Sequence, residues 1–376
     1  MPADITLLLM IGLIAVVLHF GIPFTYFNYT KRYINKPWNI RVNPDYNPHV
    51  TIIVPTYNES RHILKKLDNL AEQRYSKEKI DIVIVDSASE DGTPELVRKW
   101  MNKNKYLRIL LLEEEKRRGM IHALNYALSK VDYDRTDVII FTDADSFWDK
   151  NTLKNIVKYF ADDRVGAVTA SITTTYNEKI ERTYRNYYNV IRIGESKIHS
   201  TPIHNGALIA FKSSAMKTIG KLPDYTGNND STPASLIAFM GYRAIQIPEA
   251  LVQEPVKTRG EFLRKVRRAQ HLILHFINTK KYAVKKGLYK GKTKFDTIWR
   301  IEFFLNVVNP WLLVIGAPLF LSVLAITNII LFITLITLAI ITLLFKVPRT
   351  WIIYQIILSY AQIRNIKTKD LVWRKI

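Results

Sequence analysis

The stretch Val138-Ile139-Ile140-Phe141-Thr142-Asp143-Ala144-Asp145 runs from β-branched and aromatic residues directly into two carboxylates. An apolar run of this length, bounded by polar residues, predicts a buried strand. Carboxylates one residue apart point to opposite faces along a strand, but where the strand ends the backbone turns and both heads can converge on one hard cation. A divalent metal held there can clamp a diphosphate. The alternative for an isolated Asp-x-Asp is a solvated turn, because surface aspartates are common. The residues surrounding it in the chain decide between the two.

Similar runs recur on both sides. Strands are expected at 50–54, 80–85, 107–112, 138–141 and 165–169, with helices at 62–73, 94–102, 120–130 and 151–159 between them. This alternation predicts an α/β domain with a mostly parallel sheet covered by helices, and such sheets bind ligands outside the carboxyl ends of their strands. The polar residues cluster at those ends: Thr56-Tyr57-Asn58-Glu59 after the first strand, 86–93 after the second, and Asp143 to Asp145 after the fourth. A carboxylate at Asp86 can accept hydrogen bonds from a base or ribose. Asp91 serves equally well as a cap for the helix opening near Thr93-Pro94.

Taken in order, four motifs resemble the signature of family 2 glycosyltransferases: Val54-Pro55-Thr56-Tyr57-Asn58-Glu59; Asp86 with Ser89, Asp91, Gly92 and Thr93; Gly119 with Ala123-Leu124-Asn125; and Asp143-Ala144-Asp145. The resemblance continues through Gly206-Ala207-Leu208-Ile209-Ala210-Phe211-Lys212, Asp230, Gly241-Tyr242-Arg243 and Ile247-Pro248-Glu249-Ala250, covering about residues 50 to 270. It implies a Rossmann-like GT-A fold, a nucleoside-diphosphate-sugar donor and a Mg2+ or Mn2+ ion. Pro55, Tyr57, Glu59, Asp86, Arg118 and Asp143 would then contact the donor, with Asp145 the main metal ligand and Asp143 a second ligand or ribose contact. The family's catalytic base lies eleven residues before the Gly of Gly-Tyr-Arg, a spacing that Asp230 and Gly241 keep. Its task is to take the proton of an acceptor hydroxyl as that oxygen attacks the anomeric carbon, giving inversion. Without the resemblance, Asn228-Asn229-Asp230 reads as a polar turn capping a helix at Ser231.

Departures from the pattern sharpen the expectation. Ser87 stands where many members carry a second Asp, Met120 where a Lys often follows the Gly, and Asn229 where Glu precedes the base. Arg117 and Arg118, next to Met120, can supply the lost positive charge to the diphosphate, a solvated basic turn being the equal alternative for either alone. The usual Gln-x-x-Arg-Trp appears as Arg264-Lys265-Val266-Arg267-Arg268, without the Gln and the acceptor-stacking Trp. That loss argues against a processive polysaccharide synthase. It favours a lipid-linked acceptor whose phosphate is held by Arg264, Arg267 and Arg268, which share one helical face by i+3 and i+4 spacing. His199 and His204 read as surface-loop residues, and Tyr184, Tyr187 and Tyr188 with Ile191 as one packed helical face.

Two apolar tracts flank this domain, so that the whole chain resembles a reduced cellulose-synthase-like enzyme. Ile5 to Phe27 carries no charge and is long enough to cross roughly 30 Å of hydrocarbon. Phe303 to Phe345 is also uncharged and suffices for two helices joined near Thr327-Asn328. Lys31, Arg32, Lys36 and Arg41 follow the first tract, which predicts a cytosolic catalytic domain in an integral membrane protein with its N-terminus on the opposite side. Trp351 to Ile363 is too short for a span and reads as interfacial or re-entrant. The expected units are an anchor and linker at 1–45, the glycosyltransferase domain at 46–256, a basic amphipathic segment at 257–301, a transmembrane hairpin at 302–346 and an interfacial helix with basic tail at 347–376.

The chain's formal charge of +21 requires an anionic neighbour. From Lys257 to Arg300 there are 14 Lys or Arg against two acids, so much of the excess lies beside the second apolar tract, as suits a membrane with anionic lipids. Nucleic acid would require the basic groove around the carboxylates, which argues against a tethered nucleotidyltransferase or nuclease. An inactive membrane scaffold is the remaining alternative, opposed by Asp86, Asp143, Asp145 and Asp230 together. Cysteine is absent, so thiolate metal chemistry is excluded.

Overall fold

A computed structural model of the chain describes residues 2–173, 179–253 and 261–368. The first apolar tract forms α1 (Ala3–Lys31). The domain then alternates β1 (Val50–Thr56), α2 (Ile63–Ala71), β2 (Ile80–Asp86), α3 (Thr93–Lys103), β3 (Arg108–Glu113), α4 (Met120–Leu128) and β4 (Val138–Phe141). A short β5 (Phe147–Trp148), α5 (Thr152–Val157), β6 (Val165–Thr173) and α6 (Lys179–Ile198) follow. The domain closes with β7 (Ile209–Lys212), α7 (Ser213–Ile219), α8 (Ser231–Phe239) and β8 (Arg243–Gln253), before α9 (Glu261–Lys285) leads to the long apolar helices.

All eight strands form one sheet in the order β3-β2-β1-β4-β7-β6-β8-β5. Pairings within β3-β2-β1-β4 are parallel, as is β6 with β8, whereas β7 runs antiparallel to both β4 and β6 and β5 antiparallel to β8. The continuous apolar runs follow from helices covering both faces. Ile52, Val54, Ile82, Ile84 and Ile140 pack into one buried cluster, while their neighbours Ile53, Val83, Val85, Ile139 and Phe141 pack into the other. Period-two alternation therefore separates two cores, and each buried side chain contributes roughly 1.5 to 3 kcal/mol.

The helix Lys294–Thr327 begins well before the uncharged tract. A capping box between Thr293 and Asp296 starts it, and Phe295 and Trp299 are buried against the catalytic domain. It widens into π-helical turns at Phe304–Val308 and Leu312–Gly316. It ends at Asn328, whose extended backbone breaks the helix and whose side chain accepts the Leu331 N–H at 3.0 Å to cap the helix Ile329–Leu344. A bend of 102° leads into Lys346–Lys367, so the described residues contain two helices able to cross a membrane, or three spans if the bent pair is one. Small residues let α1 approach Lys294–Thr327 closely: a Cβ on Gly12 would stand 2.8 Å from the Phe320 backbone, and one on Gly316 would collide with Ala15. Lys346–Lys367, which contains the segment expected to be interfacial or re-entrant, packs Ile357, Leu358 and Ala361 on Val266, Ala269 and Ile273 of α9. Lys257, Arg259, Lys369, Arg374, Lys375 and the side chain of Tyr184 lie outside the described residues. Tyr187 does sit on a packed face, stacked on Phe27 with ring centroids 4.7 Å apart.

Candidate active site

The loops after β1 and β2 are stitched into one surface. Asn58 N–H donates to Ser89 Oγ at 2.8 Å, Glu90 N–H to Asn58 Oδ1 at 2.9 Å, Glu59 N–H to Thr93 Oγ1 at 2.9 Å and Ser60 N–H to Asp91 Oδ2 at 3.0 Å. Asn58 and Ala88 adopt left-handed backbone, with φ of 54° and 56°, to make these turns. Burial pushes the Asp91 carboxyl up, but hydrogen bonds from Thr93 and Ser60 outweigh it and hold the group below its usual range. Asp91 thus joins two loops at the helix start. Asp86, at the end of β2 and almost fully buried, accepts from Thr56 Oγ1 at 2.8 Å and from Ser89 N and Oγ at 2.8 and 2.6 Å. The carboxylate is held rigidly at the strand end, where a nucleotide would meet it.

Asp143 and Asp145 follow β4, Asp145 buried and Asp143 half-buried. Beneath them lies a residue that the motifs did not announce. Lys66 of α2 is fully buried, and its Nζ donates to Thr142 Oγ1 at 2.8 Å and to the Ser146 carbonyl at 2.6 Å, bracketing Asp143-Ala144-Asp145 from below. Burial pulls its ammonium down to about 7, opposed by the charges of Asp143 and Asp145. Among the described residues no third His, Cys, Asp or Glu completes a cluster able to hold a metal. A cation here would be held by the two carboxylates of Asp143 and Asp145, with its remaining positions left to oxygens from outside the chain. That all-oxygen donor set fits Mg2+ or Mn2+.

Asp230 caps α8, accepting from the Ser231 N–H and, at 2.9 Å, from Ser231 Oγ. Burial pushes its carboxyl above the ordinary carboxylate range, opposed by the Ser231 hydrogen bonds and the Arg192 guanidinium. Gly206 makes room for it: a Cβ there would stand 3.3 Å from Asp230 Oδ2. Thr142 Oγ1 donates to the carbonyl of the next residue, Ala207, at 2.7 Å. One ribbon, Gly206-Ala207, therefore lies against the expected base and is tied to Thr142, the residue that precedes the carboxylate pair. Arg192 of α6 donates to Asn205 Oδ1 at 3.2 Å and is a second polar neighbour absent from the motif reading.

Around Tyr57 the positive charge is rearranged. The Arg117 guanidinium lies 3.8 Å above the Tyr57 ring, a cation–π contact that fixes it at the mouth of the site. Arg118 Nε is 3.9 Å from Glu114 Oε1. Ser87, where the family often carries Asp, donates to Glu114 Oε2 at 2.7 Å, and His122 Nδ1 contacts Glu114 Oε1 at 2.5 Å. A buried carboxylate from the end of β3 thus occupies the neighbourhood of the missing one. Pro55 is the penultimate residue of β1, paired with Val85, so it sets the position of this loop through the strand.

The remaining motif residues are structural. Arg243 donates from Nε to the His199 carbonyl, from Nη1 to Asn39 Oδ1 at 2.8 Å and from Nη2 to the Ser196 carbonyl at 2.7 Å, tying α6 to the sheet. Glu249 accepts from Tyr159 and pairs with Lys158 at 3.0 Å. His204 is buried rather than on a surface loop: Nε2 meets the Thr201 carbonyl at 2.9 Å, and burial pulls the imidazole down to about 3. Arg264, Arg267 and Arg268 lie on α9. One turn later on that helix, His271 packs against Gly227, just ahead of Asp230, so this helical face is directed toward the loop carrying Asp230.

A mixed sheet with acidic groups at three strand ends, and a fourth carboxylate capping the helix beside them, is the GT-A class of glycosyltransferase. The chain belongs to glycosyl transferase family 2, whose family model matches residues 51–220. Among solved structures it is 39% identical to the mannosyltransferase PcManGT from Pyrobaculum calidifontis in complex with GDP-Man and Mn2+, covering 96% of this chain and 100% of that one, with a TM-score of 0.84. It is 27% identical over 259 residues to the poly-β-1,6-N-acetyl-D-glucosamine synthase of Staphylococcus aureus, covering 66% of this chain. The match spans only 60% of the synthase's own length. It is also 25% identical over 222 residues to glycosyltransferase AglE of Haloferax volcanii, covering 58% of this chain and 70% of AglE.

Proposed function

We propose that this protein is a membrane-bound, inverting hexosyltransferase that moves a sugar from a nucleoside diphosphate to a polyprenyl-phosphate or lipid-linked oligosaccharide acceptor. The observation that carries this reading is the ribbon Gly206-Ala207, bonded on one side to Thr142, which leads into Asp143-Ala144-Asp145, and packed on the other against Asp230. GDP-mannose is the first donor to test, because the full-length similarity is to a mannosyltransferase with GDP-Man; UDP-sugars are the alternative. The donor would lie along Tyr57, Glu59, Asp86 and Asp143, with Arg117 and Arg118 toward its diphosphate. A Mg2+ or Mn2+ ion held by Asp145 and Asp143 would neutralise the diphosphate as it leaves. Asp230 takes the acceptor proton while the new bond to the anomeric carbon forms and the bond to the diphosphate breaks, inverting that carbon.

Arg264, Arg267 and Arg268 hold the acceptor's phosphate in this reading, and the catalytic domain faces the cytosol over a membrane with anionic lipids. Nucleic acid has no part in it. A processive polysaccharide synthase is the second reading, supported by the similarity to the staphylococcal synthase and opposed by Arg268 in place of the stacking Trp. The test is a screen of radiolabelled GDP-mannose and UDP-sugars on membranes containing the protein, with polyprenyl-phosphate acceptors, and with Mn2+, Mg2+ or EDTA. A single sugar added to a lipid in a metal-dependent manner supports the proposal. Long polymer, or no metal-dependent turnover of any donor, refutes it.

A further inference from the structure

A cavity of about 440 Å³ opens where the membrane helices meet the catalytic domain. The end of α1 with its following linker, the last turn of α6 and the first turns of Lys294–Thr327 form its walls. None of the donor, metal or acceptor residues assigned above lines it. Lys36, Lys197 and Lys294 do, without any Asp or Glu, and none of the three is paired to an acid among the described residues.

Lys197 and Lys36 are placed by contacts other than ion pairs, and Glu249, the acid whose charge reaches Lys197, is itself paired with Lys158. Lys197 Nζ donates to the Lys36 carbonyl at 2.6 Å and lies 4.2 Å over the Trp38 ring, while Lys36 Nζ lies 4.3 Å over the Tyr33 ring. A carbonyl and two π faces orient the cations without neutralising them. Below the lysines the wall turns apolar with Ile298 and Ile301, one turn apart on the membrane helix. The position in the bilayer follows from the helices. Among the described residues α1 and Lys294–Thr327 are the two unbent helices long and apolar enough to cross, and the cavity lies at one end of both, where Tyr26 and Ile301 stand close to the ends of their uncharged stretches. A cationic lip over an apolar floor, at the depth where hydrocarbon gives way to water, matches a lipid phosphate with its first methylenes beneath it.

We propose that this cavity is a binding site for the phosphate headgroup of an anionic membrane lipid, distinct from the donor and acceptor sites. A soluble phosphate would use the lip and leave the isoleucine floor bare. Tyr26 also lines the cavity, and its hydroxyl donates to the buried Glu195 of α6 at 2.5 Å. An occupant therefore rests on the joint between the first membrane helix and the catalytic domain.

The test uses the full-length protein released from nanodiscs of equal phosphatidylglycerol and phosphatidylcholine, with bound lipids counted by native mass spectrometry. One phosphatidylglycerol should be retained with a preference of about tenfold or more. Lys36→Gln/Lys197→Gln/Lys294→Gln should lose that preference, and the corresponding Arg triple variant should keep it. A second measurement needs no lysine variant. Brominated phosphatidylglycerol should quench the Trp38 emission, taken as wild type minus Trp38→Phe, more than brominated phosphatidylcholine does. Equal quenching by the two lipids, an unchanged preference in the Gln variant, or complete displacement of the lipid by millimolar inorganic phosphate would each overturn the proposal.

Discussion

Gly206 lies against Asp230 so closely that a single added methyl would stand 3.3 Å from the Asp230 Oδ2 and 3.7 Å from Asn229 Oδ1. With Asp230 as the proposed base, the glycine would help set its position, because the same ribbon is anchored to Thr142 beside the carboxylate pair. Gly206→Ala should lower kcat by on the order of 10- to 100-fold while the protein stays folded, since small displacements of a base are costly. Steady-state kinetics with circular dichroism checks this. An unchanged kcat means that the base has room to move.

Asp145→Ala should abolish both sugar transfer and donor hydrolysis, because the diphosphate loses its metal ligand, an effect worth several kcal/mol in the transition state. Mn2+ binding, followed by paramagnetic resonance, should weaken in parallel. Full activity of the variant, or of wild type in EDTA, contradicts the metal assignment.

Asp230→Asn should reduce transfer by about 10²- to 10⁴-fold and leave donor affinity close to wild type. Burial raises this carboxyl, and the base works only when ionised, so kcat/KM should rise with pH through a value above that of an ordinary carboxylate and then level off. Loss of donor binding together with turnover would make Asp230 a donor or structural residue instead.

Lys66 supplies a pH test of the buried support under the metal loop. Its ammonium loses its proton near pH 7 in the folded protein, against 10.5 as the ordinary value. Between these values the unfolded chain binds more protons, so stability should rise with pH, by up to about 1.4 kcal/mol per pH unit. The metal-free protein should accordingly gain in Tm from pH 7 to 9 relative to Lys66→Met. Parallel Tm curves for the two proteins would show that Lys66 keeps an ordinary affinity for its proton.

Replacing Arg267 and Arg268 with Gln should raise KM for a phosphorylated lipid acceptor far more than for the donor, at roughly 1.5 to 3 kcal/mol per charge-assisted bond lost. A phosphate-free glycolipid with the same sugars and tail is the control. Equal use of that control by the wild-type enzyme excludes phosphate recognition by these residues.

The sequence by itself determined the strands of the parallel half of the sheet, since Ile52 to Val54, Ile82 to Val85 and Ile139 to Phe141 are apolar on both faces and bounded by polar residues. It also determined which residues stand at the strand ends, because the register of β1 with β2 brings Thr56 beside Asp86. The tertiary structure decided what depends on distant partners. Lys66 reads as one more basic residue on an amphipathic helix until Thr142 and Ser146, some 80 residues away, close over it. Glu114 reads as a loop acid until Ser87 meets it, and β7 enters antiparallel between β4 and β6 although nothing in its four residues specifies a direction. Local composition reports whether a side chain can be buried, whereas burial of a charge or the direction of a strand is set by contacts that exist only after the chain has folded back on itself.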